Sequence, residues 1–482
     1  MKKPNIYHNQ SQEIRALFEK AGNSAKVMCV PIDYAKKDHM VMFCNGHGDI
    51  VRKPFIVNNS PLGVDYLIDQ VTRSCKSRGI NEQHVFFGGE DVGSFAANFV
   101  TTLRSSGWLV AGVNAYDAKQ QRDNLQASTD RLDLTGIARS MLNQRANSCP
   151  AQSGIYWNLR TLTRHRQKLV KLTSEVRNRI HAVVDRLFPG FLDEEKSGIS
   201  AFSNSSLWLM KDRFSALQIR RRKRPTLIKG LRKLGVKNPE LAANKLQHHA
   251  QQVLQPPDEN IVTLQFSLTQ HVKHLSCLQE NIDQLEKEMA IDLAQTQGAF
   301  LTSVPGIGIV LASGITSEIG NPFEQKPLNN LVSYAGIIPR VKQTGGPEGQ
   351  CWYGKVAKRC NRILKNYVVQ AASHMGLHGP HELMADYNRR QGAGQHADFG
   401  MARRFLRMAM CMMRTSQIYM PLHLRKPETK LQERAEYYLF NWHKMHEKWK
   451  RSGALQLAFD KNMPLGQWRN IIEQLYRIRL AL

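Results

Sequence analysis

Short apolar runs separated by turns dominate the chain after residue 25. VMCVPID, HMVMFCN and DIVRKPFIV predict three strands, and NGHGD between the last two suits a hairpin turn. Helical and strand periods then alternate: PLGVDYLIDQVTRSC, HVFFGGE, a helix near 93–106, WLVAGVN and a helix through 131–143. The predicted order β-β-β-α-β-α-β-α indicates a mixed sheet with helices on its faces, which is the order of an RNase H-like (RuvC-like) α/β domain.

The remainder of the chain is predicted to be mainly helical. Residues 155–188 have helical spacing, and FPGF ends that helix. Residues 261–289 repeat apolar positions every three or four residues, at Ile261, Leu264, Leu268, Leu275, Leu278, Ile282, Leu285 and Met289. This heptad seam favours a coiled coil used for dimerisation, and a helix packed within its own chain is the alternative.

A different pattern follows Gly298. VPGIGIVLASGITSEIG resembles a helix-hairpin-helix element, with Gly306 and Gly308 in the turn, and a basic helix is predicted from about 354 to 375. The predicted domains are an N-terminal tail (1–22), a catalytic domain (23–145), a helical linker with a basic insertion and coiled coil (146–298), a C-terminal domain (299–380) and a helical basic extension (381–482).

The charge of the chain adds a prediction about its binding partner. Among 482 residues, 67 Lys and Arg stand against 40 Asp and Glu, a net charge of +27. Residues 23–145 hold a net charge of only +2, so the excess falls on the second part, where it predicts a nucleic-acid partner. With no long apolar stretch, no signal peptide and no C-x-x-C among eight cysteines, we expect a cytoplasmic protein without a membrane partner, nucleoid-associated when active.

Four acidic residues stand at positions that the predicted sheet brings together. Asp33 and Glu90 end the first and fourth strands, and Asp130 and Asp133 begin a helix on one side of it. Four converging carboxylates repel one another unless divalent cations neutralise them, which predicts Mg²⁺, with two ions for phosphoryl transfer. Solvated acids are the ordinary alternative, and the neighbouring acids Asp91, Asp38 and Asp123 are substitutes for members of the set.

Basic residues outside this acidic set are candidates for phosphate contacts. Trp352 and Tyr353 are candidates for stacking on bases or sugars. A solvated basic face is the alternative interpretation. The candidate nucleic-acid contacts are Lys36, Arg220, Arg221, Arg222, Lys223, Arg224, Gly306, Gly308, Arg340, Lys342, Lys355, Lys358, Arg359, Arg362 and Lys365.

Several motifs together resemble transposases of insertion-sequence family 110, whose relatives include the pilin-gene DNA invertases. The N-terminal match consists of IDYAKKDH, GGEDVGSFAANF, VNAYDAKQ and STDRLDLTGIAR. The C-terminal match consists of SVPGIGIVLASGITSEIG, LVSYAGIIPRVKQTGG and GKVAKRCNRILKNYVVQAA. Both stand in the family's order and cover roughly half of the chain.

The resemblance implies a RuvC-like domain whose Asp33, Glu90, Asp130 and Asp133 bind Mg²⁺, followed by a coiled-coil segment and a C-terminal transposase domain. It implies site-specific recombination of double-stranded DNA through a hydroxyl that becomes joined to a DNA phosphate. It also implies a structured noncoding (bridge) RNA as guide, and homo-oligomers, dimers or tetramers, in which domains of different protomers complete one active site.

Two positions depart from the family pattern. Thr344-Gly345 stands where the family has Ser-Gly, so Thr344 is the candidate nucleophile, and its extra methyl crowds attack. Ser333 is the nearest upstream serine and lies in an apolar helical segment, and Cys360 stands where the family often has glycine. The alternative functions are a RuvC-like endonuclease that hydrolyses branched DNA, and a nucleic-acid-binding protein with decayed chemistry.

Overall fold

A computed structural model of the chain divides into two compact units, Met1–Gly154 and Ile155–Leu482. The structure describes residues 11–90, 95–124, 129–143, 147–148, 154–323, 328–346, 349–356, 360–392, 397–425 and isolated residues between 432 and 450.

The N-terminal unit is built on a six-stranded mixed sheet in the order β3-β2-β1-β4-β5-β6. Its strands are β1 Met28–Asp33, β2 Asp38–Asn45, β3 Ile50–Asn58, β4 Val85–Glu90, β5 Leu109–Gly112 and β6 Asn147–Ser148. Its helices are α1 Gln12–Ala21, α2 Pro61–Arg78, α3 Ala97–Ser105, α4 Ala115–Gln120 and α5 Asp130–Leu142. The predicted element order is confirmed, with α1, α4 and the two-residue β6 added to it.

The sheet combines both kinds of strand pairing. β1, β2 and β3 form an antiparallel meander, whereas β4 is parallel to β1 and β5 is parallel to β4. Apolar side chains on the two faces of the sheet form two separate cores. The central strands are therefore buried on both faces, as parallel strands require.

Helix α1 corrects the prediction of a separate N-terminal tail over residues 1–22. Its Ile14 and Leu17 are buried and pack with Val27 and Phe86 in one of these two cores. Gly22 adopts a left-handed conformation and ends the helix. The first domain consequently begins well before residue 23.

Two long helices, α6 Ile155–Leu187 and α12 Asp258–Ala294, pack against each other in the C-terminal unit. The apolar seam of α12 lies in the same core as Val176, Ile180 and Val184 of α6. The seam is thus used within the chain, which corrects its favoured interpretation as a dimerisation surface. If the protein forms a homo-oligomer, as predicted, its subunits contact each other through surfaces other than this seam.

The basic insertion folds into short helices that complete this core. They are α7 Glu194–Ser197, α8 Asn204–Met210, α9 Ala216–Arg221, α10 Arg224–Lys233 and α11 Pro239–Gln252. Leu209, Ile219, Leu227 and Leu246 are fully buried between them and the long helices. The insertion is therefore a folded module (the basic module, residues 190–253) with its charges on the outside.

A further core joins the predicted C-terminal domain to the predicted extension. It contains α13 Ile309–Ile319, α14 Leu328–Tyr334, α15 Arg362–His378, α16 His381–Gly392 and α17 Ala397–Thr415. Phe405 and Met413 of α17 and also Trp449 are buried in it. The boundary at 380 therefore divides one core and not two domains.

Two local predictions differ from the structure in this region. The segment before α13 is the 3-10 helix Gln297–Ser303, so only one α-helix adjoins the Gly306–Gly308 turn. The predicted basic helix from 354 begins instead at Arg362, because Cys351–Val356 pairs with Pro339–Gln343 as strands β8 and β7. Within the part of the chain that the structure describes, no helix is long and apolar enough to span a bilayer.

Candidate active site

Asp33 and Glu90 lie side by side at one edge of the sheet. They are the last residues of β1 and β4, and they are register partners across this parallel pair. Neighbouring strands lie about 4.8 Å apart. Both side chains are half-buried, so their charges interact through protein as well as water.

Helix α5 brings the other two acids of the set to this edge. Thr129 caps the helix, its hydroxyl oxygen accepting a hydrogen bond from the Leu132 N–H at 3.4 Å. Asp130 and Asp133 consequently lie in the first turn, and α5 packs on β1 and β4. Asp133 is half-buried, whereas Asp130 is exposed.

Arg122 is a member of the site that the sequence analysis did not identify. Its Nη2 lies 2.6 Å from Asp133 Oδ1, and both side chains are largely covered, with 12% and 20% exposure. Gly136 allows α4 to approach α5, because a Cβ there would lie 2.3 Å from the Ala118 carbonyl oxygen. This close packing places the segment after α4, and Arg122 with it, against the acidic helix.

The electrostatics of the carboxylates are those of a crowded anionic site. Burial and the charges of Asp133, Asp130 and Glu90 raise the pKa of Asp33 to about 6, although the Arg122 guanidinium opposes this. Burial also raises the pKa of Glu90, with Arg122 acting against it and Asp133 adding to it. The four acids (the DEDD set) therefore act on one another, and Arg122 is their internal counter-ion.

The donor chemistry of the DEDD set fits a divalent cation. Carboxylate oxygens are the ligands that hard cations prefer, and the mutual repulsion at Asp33 is relieved by added positive charge. Among the described residues, no three His, Cys, Asp or Glu side chains lie close enough together to enclose one ion. In this arrangement Arg122 supplies part of the neutralising charge to Asp133.

The three acids that could substitute for members of the DEDD set were also located in the sequence, and two of them lie among the described residues. Asp38 begins β2, and its Oδ1 accepts a hydrogen bond from Asn58 Nδ2 at 2.8 Å. Asp123 is exposed and pairs with Arg139 at 2.6 Å. Asp91 lies outside the described residues. The described substitutes therefore engage in contacts outside the DEDD set.

Thr344 follows strand β7 in the connection of a two-stranded hairpin in the C-terminal unit (the Thr344 hairpin, residues 339–356). Its side chain is exposed, and Gly345 and Gly346 follow with φ of 86° and 79°, a conformation that favours glycine. Gln343 Nε2 donates to the Gly346 carbonyl at 2.9 Å, which closes the turn. The sequence QTGG thus presents a hydroxyl on a defined turn.

The predicted nucleic-acid contacts fall into several groups. Lys36 is exposed in the turn after β1, near Asp33. Arg220 to Arg224 span the junction of α9 and α10 and are exposed, except that Arg222 lies over the Trp208 ring at 5.5 Å.

The remaining candidates belong to the C-terminal unit. Lys342 is exposed on β7 and pairs in register with Trp352, which is 73% exposed. Arg362 is exposed on α15, and Lys365 Nζ lies 5.3 Å from the centre of the Phe399 ring. Arg340 and Lys355 lie on the two strands, Gly306 and Gly308 lie in the turn before α13, and Lys358 and Arg359 lie outside the described residues.

This geometry defines the class of the N-terminal unit. A mixed sheet of this order, with acids ending its two central parallel strands and an acidic first turn of the following helix, is the arrangement expected of a DEDD-type, RNase H-like domain. A mainly helical unit follows it.

Comparisons with known proteins agree with this class. A family model for DEDD transposases of IS110 matches residues 30–189, and a model described as transposase IS116/IS110/IS902 family matches residues 298–388. The transposase for insertion sequence element IS1328 of Yersinia enterocolitica is 29% identical over 106 residues, which are 22% of this chain and 31% of that relative. The alignment thus spans about a third of that relative's length. The two models together match just over half of the chain, in order, and the chain belongs to the IS110 family of transposases.

Replacing Arg122 with glutamine is expected to destabilise the metal-free N-terminal unit by about 1–3 kcal/mol, because the largely covered Asp133 loses its cationic partner. Added Mg²⁺ is expected to recover more stability in this variant than in the wild type. Calorimetry of the full chain with and without Mg²⁺ measures both effects. Arg139→Gln is the matched control, since it breaks an exposed ion pair expected to contribute under about 1 kcal/mol. Equal losses in the two variants would show that Arg122 has no special role.

Proposed function

We propose that this protein is a metal-dependent DNA transposase that cuts and rejoins DNA at specific sites, using the Thr344 hydroxyl as nucleophile. The observation that carries the proposal is the DEDD set, four acids at one edge of the sheet in which burial and the three neighbouring acids raise the pKa of Asp33. Family membership supports the same reaction class, because both matched segments belong to transposases.

The DEDD set would hold the metal after a rearrangement of its side chains, because no three of them lie close enough together to enclose one ion here. Asp33, Glu90 and Asp133 would then be the central ligands, with Asp130 at the exposed margin. Divalent cations bound there, which we propose to be two Mg²⁺ ions, would stabilise the negative charge that develops on a phosphate during strand transfer. The acids of this chain fix where that charge is neutralised, because β1, β4 and α5 are held by two buried cores.

The hydroxyl of Thr344 would supply the covalent step. Its Oγ1 would form a bond to phosphorus while one P–O bond of the DNA breaks, and the departing sugar oxygen would take up the proton. The reverse step on a second strand joins the new ends and frees the hydroxyl. Exposure of Thr344 on the hairpin supports this role, because a DNA backbone can reach it.

The basic module would hold nucleic acid during this reaction. Arg220, Arg221, Lys223 and Arg224 are exposed around one helix junction, and residues 201–250 contain 12 Lys and Arg against 2 acids. We propose double-stranded DNA and a structured guide RNA as the partners, as the family resemblance implies, and a homo-oligomer as the working form.

Replacing these four exposed residues together with glutamine is expected to weaken nucleic-acid binding in a salt-dependent way. Each lost phosphate contact lowers the slope of log K against log salt by about 0.9 for duplex DNA, and about 0.7 for single strands. Titrations at several salt concentrations measure this slope. Lys20→Gln with Lys76→Gln, both exposed in the N-terminal unit, is the control. An unchanged slope in the fourfold variant would exclude the basic module as a phosphate-binding surface.

Sequencing the RNA that co-purifies with the protein tests the proposed guidance. One discrete structured species, which restores recombination when added to RNA-free protein, is the expected result. A random mixture of cellular RNA with no effect on recombination would contradict guidance, while leaving the metal and hydroxyl chemistry to be tested separately.

A further inference from the structure

Glu318 is an ionised side chain in the interior of the C-terminal unit that the proposed reaction does not use. It lies on α13, and its carboxylate has no exposed surface. A buried carboxylate needs several donors to remain charged. Burial alone would raise its pKa, but the hydrogen bond from Arg164, the charge of Arg160 and the hydrogen bond from Asn361 lower it below its ordinary value.

Helix α6 supplies the two cations. Arg164 donates from Nε to Oε1 at 2.8 Å and from Nη2 to Oε2 at 3.0 Å, a bidentate arrangement. Arg160 donates from Nη2 to Oε2 at 3.2 Å. The residues immediately before Arg164 and Glu318 are also joined, since the hydroxyls of Thr163 and Ser317 are hydrogen-bonded at 3.0 Å. Glu318 is therefore fixed to α6 by two arginines one helical turn apart.

Asn361 connects this buried carboxylate to the Thr344 hairpin. Its Nδ2 donates to Glu318 Oε2 at 2.7 Å and also lies 2.8 Å from the Tyr334 hydroxyl. Its backbone N–H donates to the Tyr334 carbonyl at 2.8 Å. Residue 334 precedes the hairpin and residue 361 follows it, so these bonds join the two ends of the segment that carries Thr344.

The same asparagine starts helix α15. Its Oδ1 accepts from the N–H groups of Ile363 and Leu364, both at 3.0 Å. The side chain thus uses its oxygen for the helix and its nitrogen for Glu318. An aspartate here would preserve the cap and would lose the donor.

We propose that Glu318 and Asn361 are positioning residues for Thr344, holding the base of its hairpin on helix α6. The proposal rests on the proposed function only for its effect on catalysis, since the geometry of the tie is independent of it. Helix α6 also packs in the core of the basic module through Val176, Ile180 and Val184. One helix therefore contacts both the module proposed to hold nucleic acid and the support of the proposed nucleophile.

A swap of the two side chains tests this tie. Asn361→Asp places a second carboxylate against Glu318, and Glu318→Gln removes the acceptor charge, so each single variant is expected to loosen the hairpin. The double variant Glu318→Gln with Asn361→Asp restores one amide, one carboxylate and the helix cap. Rescue in the double variant is the property that a general loss of packing does not produce.

Hydrogen exchange of the full-length protein measures hairpin position without requiring activity. Amides of residues 336–356 are expected to exchange roughly tenfold faster in each single variant. The double variant is expected to exchange clearly more slowly than either single variant, although not at the wild-type rate, because a glutamine at 318 cannot replace the bidentate contact with Arg164. Arg404→Gln is the matched control, because it removes a hydrogen bond to buried Asp386 in the same unit. Unchanged exchange in both single variants, or a double variant as fast as either of them, would overturn the proposal.

The rate of strand joining at saturating DNA concentration tests whether the tie affects catalysis. The single variants are expected to lose at least tenfold in joining rate with unchanged DNA affinity, and the double variant is expected to recover part of this loss. Loss of exchange protection without loss of joining would overturn the link to catalysis. If the wild type shows no Thr344-dependent joining, the proposed function fails, and hydrogen exchange still decides whether the tie exists. Should Glu318→Gln not fold, Asn361→Asp and the double variant suffice.

Discussion

Replacing Asp33 with asparagine is expected to stabilise the metal-free protein and to abolish its metal-dependent strand cleavage. Stability rises because the substitution removes a half-buried charge that three neighbouring acids repel. Cleavage is expected to fall by about 10²–10³-fold or more, because one of the proposed central metal ligands is lost and the bound metal would no longer be held where charge develops. Calorimetry without metal and a cleavage assay with Mg²⁺ measure the two effects, which oppose each other in sign.

The pH dependence of this effect has a definite sign. The pKa of Asp33 is about 6 in the folded protein, above the value of roughly 3.9 in an unfolded chain. The folded state therefore binds the proton more tightly, and its stability rises as pH falls from above 6 towards 4. The stability difference between Asp33→Asn and the wild type is expected to be largest near pH 7 and to shrink through this window.

Asp38→Asn is the matched control for both measurements, since Asp38 is exposed at the start of β2 and bonds to Asn58. It is expected to leave cleavage within about twofold of the wild type and to show no gain in stability near pH 7. If Asp38→Asn abolished cleavage and Asp33→Asn did not, the assignment of the DEDD set would be wrong.

Replacing Thr344 with alanine is expected to remove both the covalent protein–DNA intermediate and strand joining, with DNA affinity unchanged. Alanine lacks the oxygen that would bond to phosphorus, so the loss is complete and not graded. Thr344→Ser keeps this oxygen and removes the methyl group that crowds attack, so it is expected to join DNA at least as fast as the wild type. Gel analysis of denatured protein–DNA adducts measures the intermediate.

Ser333→Ala is the control for Thr344, because Ser333 is also exposed and precedes the hairpin on α14. It is expected to form the adduct at the wild-type rate. Full cleavage by Thr344→Ala would instead identify a hydrolytic endonuclease of the RuvC type. Binding without any cleavage, in the wild type as in the variants, would identify a protein whose chemistry has decayed.

The N-terminal fold was predictable because its central strands β1 and β4 are buried on both faces and its turns carry strong local signals. VMCVPID and HVFFGGE are continuous apolar runs, and both end in an acid that the parallel register of β1 and β4 brings together. Thr129 before Asp130 similarly marks where α5 begins. Local pattern and tertiary structure agree at these positions.

The wrong predictions concern segments whose sequence pattern fits two different structures, so that tertiary packing decides which of them forms. The apolar spacing of α12 is the same whether its partner is α6 or a second chain, and only the fold shows that α6 covers it. Residues 354–356 were predicted to begin a basic helix, yet they belong to strand β8, which pairs with β7. Here long-range pairing overrides local preference.

Arg122 and Glu318 were missed for a related reason. Arg122 lies 11 residues before Asp133 in the sequence, and its role depends on the close approach of α4 to α5 at Gly136. Glu318 resembles any acid near a helix end until Arg160 and Arg164, more than 150 residues away, are seen to bind it. The periodicity of the sequence predicts neither the Arg122–Asp133 pair nor the Glu318–arginine contacts.

The most direct test of the central claim is to identify the residue that becomes attached to DNA. Full-length protein with its co-purified RNA and Mg²⁺ would react with a plasmid that carries the element and its flanking DNA, followed by denaturation and digestion with nuclease and trypsin. Mass spectrometry would then examine the peptide 343–355, which lies between Lys342 and Lys355 and contains Thr344 as its one aliphatic hydroxyl residue. A nucleotide phosphate on Thr344 is the predicted result. An unmodified peptide accompanied by cleaved or joined DNA would contradict the proposal.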